Sequence, residues 1–162
     1  MILRWTKTLR DLIKPGSLAD EPASDEDWYA NLMRVDGRTC LLLTHAGTLF
    51  TIFEPSVLAA GLRDIGRLVT GVIGRELARE GLGPGTFGDL DAASVVVGKT
   101  ASHLVLGCTN NMAFACVRAV DLAGGLADAD IGAINQRLRR NVLSARDYRK
   151  PIELTMRWAG TA

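Results

Sequence analysis

Histidine, cysteine and aromatic side chains are scarce in this 162-residue chain, with two histidines, three cysteines and 6% aromatics. Cys40, Cys108 and Cys116 make an odd count without a CxxC pair, which excludes a disulfide scaffold and suits a reducing compartment. A strong charge bias is also lacking. A net charge of +1 gives no global pull toward nucleic acid or anionic lipid. Long apolar runs are missing too. The opening "MILRWTKTLR" is broken by Arg4, Lys7 and Arg10, unlike a signal peptide. The stretch Ala101 to Val117, free of Asp, Glu, Lys and Arg, holds Ser102, His103, Thr109, Asn110 and Asn111 and is too polar to span a bilayer. These absences lead us to expect a soluble, cytoplasmic protein with no membrane contact.

What is present is ordinary globular composition, 48% hydrophobic and 23% charged. A chain of this length buries roughly 68–70% of its unfolded surface and needs no metal or disulfide to fold. We expect one domain over 1–162. Its charge is unevenly spread: residues 19–27 hold Asp20, Glu21, Asp25, Glu26 and Asp27 without a base, so 18–27 reads as a mobile acidic loop. Residues 136–150 are basic.

Periodicity places a short strand at 2–6 and a brief helix over 8–13, stopped by Pro15-Gly16. Trp28 to Val35 alternates as a strand. The turn Asp36-Gly37 leads to a second strand, and His45-Ala46-Gly47 to a third, giving a three-stranded meander over about 28–53. Apolar residues at helical spacing predict a helix over about 56–80. Val95 to Gly98 reads as a buried strand. Residues 103–108 fit either a strand or a helix. Helices follow over about 110–122 and 129–140, and the tail from Tyr148 to Trp158 reads as partly extended. The fold class expected is α+β: a mixed, mostly antiparallel sheet packed against two or three helices.

Candidate chemistry can be weighed residue by residue. "SVVVGKT" (94–100) ends like a phosphate-binding loop, but that loop needs a glycine where Ala93 stands, and Ser94 to Val97 suits a strand. What survives is a strand end, Lys99 and Thr100, of the kind that faces ligand crevices. Cys40 and His45, like His103 and Cys108, are five positions apart, which places each pair on opposite faces of a strand or about 140° apart on a helix. No metal site is read from them, and no cofactor. Cys108 just before a helix at Thr109 would have its thiol activated by free N–H groups, with His103 or His45 as base. An enzyme with a Cys/His/Lys site around 99–111 is therefore one alternative. Another is a nucleic-acid-associated protein using Arg137, Arg139, Arg140, Arg146, Arg149 and Lys150.

Polar residues without an evident structural use cluster at Trp28, Tyr29 and Asn31 and at Thr109 to Asn111. "RWTK" at the start, "WYAN" (28–31) and "LGCTNN" (106–111) resemble an uncharacterised bacterial family, a domain of unknown function, with RCTK-like, WYAN and LGxxND-like segments. The resemblance spans Arg4 to Pro151 and implies a single compact domain; it brings no activity. Here Trp5 replaces the expected Cys, and Asn111 the expected Asp. The sequence thus gives no evident catalytic motif. It supports a small binding or accessory protein whose ligand residues are Trp28, Tyr29, Asn31, Lys99, Thr100, His103, Asn110 and Asn111. A protein partner or self-association through an edge strand is left open.

Overall fold

The computed structural model describes residues 1–13 and 18–160, so the helix stop read at Pro15-Gly16 lies outside the described residues. Five strands form one open sheet: β1 (Ile2–Trp5), β2 (Trp28–Val35), β3 (Arg38–His45), β4 (Thr51–Glu54) and β5 (Val96–Lys99), in the order β4-β3-β2-β1-β5. β2, β3 and β4 are the expected antiparallel meander, turned at Asp36-Gly37, where both residues take positive φ. β1 sits between β2 and β5 and runs parallel to both. The antiparallel ladders are the longer ones, and the sheet is mixed as expected.

Alternation along the strands gives the sheet two apolar faces. Leu3, Trp5, Trp28, Ala30, Leu32, Leu41, Leu43 and Ile52 line the front. They are covered by α1 (Lys7–Ile13), α2 (Ala59–Arg63), α3 (Ile65–Arg79) and α6 (Pro151–Ala159), which contribute Leu9, Leu62, Val69, Val72, Ile73, Leu77 and Ile152. Tyr29, Val35, Cys40, Leu42 and Phe53 line the back, under Val105, Met112, Cys116 and Val120 of α4 (His103–Ala123) and Ile134 and Leu138 of α5 (Ile131–Arg140). Burying both faces at once makes this an α+β domain of three layers.

Several local expectations are corrected. The helix over 56–80 is two helices broken at Asp64, whose side chain accepts a hydrogen bond from Arg67 N at 3.4 Å and caps α3. Gly66 in α3 lies against the carbonyl of Ala92 in the 3₁₀ turn Ala92–Ser94 and leaves that carbonyl room a side chain would fill. The helix expected at 110 begins at His103, because Ser102 accepts from Val105 N and caps it there. The tail is helical, with Pro151 at the first turn, where its missing N–H costs nothing. β5 is not a buried strand: it is an edge, with Val96 and Lys99 exposed.

The two edges are handled differently. Along β4, the Asn135 side chain of α5 accepts from Phe53 N at 2.7 Å and donates to Phe53 O at 3.1 Å, as a neighbouring strand would. Beyond it Arg139, buried over the Phe50 ring, reaches Glu76 and Glu80 of the α3 region at 3.0 Å each. This pairing ties the back layer to the front. At β5, Ala19 N donates to Val97 O at 2.7 Å, so the acidic segment runs along that edge.

Candidate functional site

The site is built around β1. Gly98, Arg4 and Tyr29 are neighbours across β5, β1 and β2 and share the back face. A Cβ on Gly98 would lie 3.2 Å from Arg4 Nη1 and 3.1 Å from Ile2 Cγ2, so the glycine of "VGKT" is where the Arg4 side chain needs room. Arg4 is fully buried. Its Nε donates to Asp27 Oδ2 at 2.8 Å, and its Nη atoms donate to the carbonyls of Glu21 (2.9 Å), Pro22 (2.6 Å) and Lys99 (3.3 Å). The segment 18–27 therefore crosses the back of β1 as a strap tied to Arg4. Beyond Pro22 it is fastened again: Asp25 O accepts from Gly47 N, and Asp27 O from Ala46 N, both at 2.8 Å.

Next to the strap stands the amino end of α4. In a helix the first N–H groups have no intrahelical acceptor. Ser102 satisfies that of Val105. The first turn of this 21-residue helix holds no acid to balance its positive pole. Tyr29 lies beneath it, fully buried, with its oxygen facing the backbone of Ala101 and Ser102. Burial, the largest influence, raises the phenol's pKa.

Between strap and helix lies a cleft of about 380 Å³, walled by Ser24 and Asp25, Ala46, Ser102, Leu104 and Val105, and Arg146. Arg146 donates to Ala46 O at 2.6 Å and lies 3.6 Å from the Asp25 carboxylate; its Nε is shut from solvent without a partner. Asp25 is 69% exposed, so this pair is weak.

The eight ligand residues expected from the sequence are only partly brought together. Tyr29, Asn31, Thr100 and His103 surround the carboxyl ends of β1 and β5 and the start of α4: Thr6 donates to Asn31 Oδ1, and Thr100 to the Trp5 carbonyl, both at 3.0 Å. Lys99 is exposed at the end of β5. α1 leaves β1 toward the front and α4 leaves β5 toward the back, so a topological switch point lies between these strand ends. Trp28 does not join them; it is buried at the front against His45 and Phe87. Asn110 and Asn111 lie two turns along α4, about 10 Å from its start, because the helix begins earlier than expected. Asn111 borders an apolar groove of about 190 Å³ between α4 and α5, with Cys108, Met112 and Leu138.

The same shift removes the reason for an activated thiol. Cys108 lies inside α4, and burial raises its pKa. The basic segment does not present one face. Arg139 is buried with Glu76 and Glu80, Arg140 pairs with Glu80, Arg146 turns into the cleft, and Lys150 pairs with Glu153. Arg137 and Arg149 remain exposed. Sequence reading missed Arg4, Ser24, Asp25 and Ser102. The signal for Arg4 was a charge inside the apolar "ILRW" strand, which demands a buried partner.

Among the described residues no helix is long and apolar enough to cross a membrane. Fold and site together define a small α+β domain with an open mixed sheet and a polar cleft at a helix amino end. The chain belongs to the family described as a domain of unknown function (DUF6933), whose model matches residues 2–154. No curated protein and no solved structure matches it.

Proposed function

We propose that the chain is a binding protein for a small polar molecule, held in the cleft between the strap and the amino end of α4. The observation that carries this reading is the convergence of Ser24, Asp25, Ser102 and Arg146 with the helix pole on one cleft of about 380 Å³. That volume lies within the usual range for small-molecule sites. Tyr29 and His103 of the expected ligand set belong to this neighbourhood; Trp28, Asn110 and Asn111 serve other surroundings. The nucleic-acid reading draws support only from Arg137 and Arg149, since the other basic residues of the segment are engaged within the molecule or face the cleft.

The test is a fragment screen read by amide chemical shifts on labelled protein. Saturable shifts confined to Ser24, Asp25, Ser102, Leu104 and Val105 are expected. Shifts that cluster on Arg137 and Arg149 with a short oligonucleotide, weakening steeply with salt, would replace this reading with the other.

A further inference from the structure

We infer that the groove between α4 and α5 docks an amphipathic helix of a partner protein, one that carries carboxylates beside its apolar face. The inference concerns a different surface from the cleft and stands whether or not the cleft binds. Two hollows, of about 190 and 170 Å³, lie end to end between the helices and share Ala115, Leu138 and Asn141. Together they run from Cys108 to Leu122, about 21 Å along α4. Their floor is apolar, with Met112 and Leu143 toward one end and Ile134 toward the other. Leu122 lines the far end while 77% exposed, and Phe114, on the outward side of the same helix, is 74% exposed.

Shape and chemistry together select the occupant. Each hollow alone is smaller than the roughly 300 Å³ at which small-molecule pockets begin, whereas an elongated groove suits a chain segment. Its walls are helices whose backbone groups are bonded within themselves, so an extended strand gains no ladder here. A helix laid in the groove needs only side-chain contacts, from apolar residues recurring at i, i+3, i+4 and i+7. The rim sets the charge. Arg118 on one wall and Arg137 on the other are exposed, and neither has an ion-pair partner among the described residues. No carboxylate among the described residues lines either hollow. Asp121, the nearest acid along α4, lies outside the groove and leaves Arg118 unpaired. Acids of the chain instead hold Arg139, Arg140 and Lys150. The groove thus offers two open positive charges beside apolar surface, and rim charges of this kind choose the partner and its salt dependence more than its affinity.

Two synthetic peptides of about four helical turns, stapled to hold the helix and carrying leucines at groove spacing, test this. One has glutamate beside the leucines and the other lysine. On labelled protein the glutamate peptide should give saturable amide shifts at Ala115, Ala119, Leu138 and Asn141, and weaken several-fold as salt rises. Arg118→Glu with Arg137→Glu, both surface changes, should reverse the preference in favour of the lysine peptide. Equal binding of the two peptides, a preference the double variant fails to reverse, or no binding of either overturns the inference. A short oligonucleotide taking these residues in place of the peptide does the same. So does sedimentation of the chain alone as a dimer that Phe114→Glu dissociates, which would make the occupant a second copy.

Discussion

Arg4 Nε donates to Asp27 Oδ2 at 2.8 Å, and water reaches neither side chain. The two residues are 23 positions apart, one within a central strand and the other at the entrance to its neighbour. Removing one partner of a buried pair leaves an uncompensated charge and costs about 3–5 kcal/mol. Asp27→Ala is therefore expected to lower the urea midpoint strongly at unchanged slope. The double change Arg4→Met with Asp27→Leu should recover much of that loss.

Gly98 is the neighbour that makes this arginine possible. Gly98→Val places methyl groups where Arg4 and Ile2 already lie, and overpacking of this kind costs about 1–3 kcal/mol. With Arg4→Ala in the background the penalty should shrink. Thermal unfolding of the four proteins measures that coupling, and equal penalties in both backgrounds would show the clash lies elsewhere.

The meander was legible because Asp36-Gly37 punctuates two strands that alternate cleanly, and α5 because Asp130 caps it. The position of β1 was not, since no local pattern tells a strand which neighbours it will find across 95 residues. The start of α4 was missed for a different reason. Ser102 alone marks it, while "HLVLG" suits either a strand or a helix. That shift of seven residues is why Asn110, Asn111 and Cys108 were assigned to a helix end they do not occupy. The acidic strap read as a charged loop because, apart from the Arg4–Asp27 pair, its ties are made through backbone groups, which carry no residue identity.

His45 is buried among Trp28, Phe87 and Trp158, and its Nδ1 accepts from Thr48 N at 3.3 Å. Burial, with the Arg146 charge adding to it, lowers its pKa to about 3. The unfolded chain, near 6.5, binds this proton first, so stability is full above about pH 6.5 and falls as pH drops toward 3. The loss is on the order of 4 kcal/mol from this group. Denaturant unfolding between pH 7 and 4 should show it, and His45→Phe should flatten that part of the profile.

Asn135 stands in for a strand along β4. Asn135→Leu leaves the N–H and carbonyl of Phe53 without partners and is expected to cost about 2–3 kcal/mol. It also opens that edge to pairing with a second copy. Sedimentation of the variant should show more self-association than the parent chain, measured at equal concentration.

The thiols should be sluggish. Burial pushes Cys116 up to about 12 and raises Cys40 and Cys108 as well. At pH 8 the native protein is expected to react slowly with a disulfide reagent, Cys108 first because it is half-buried. All three should react at once in denaturant. A fast native burst would contradict this placement.

The location of β1 also sets an order of events in synthesis. Its right-hand neighbour β5 emerges from the ribosome only after the meander and α3 have been made, because Arg4 and Thr100 meet partners 95 residues distant. Closing so long a loop must precede any reward from the contacts it brings. Until then the first strand has one flank unclaimed, with Leu3 and Trp5 beside it, and the growing chain offers a sticky ribbon to whatever is near. That exposure ends only when the last strand arrives.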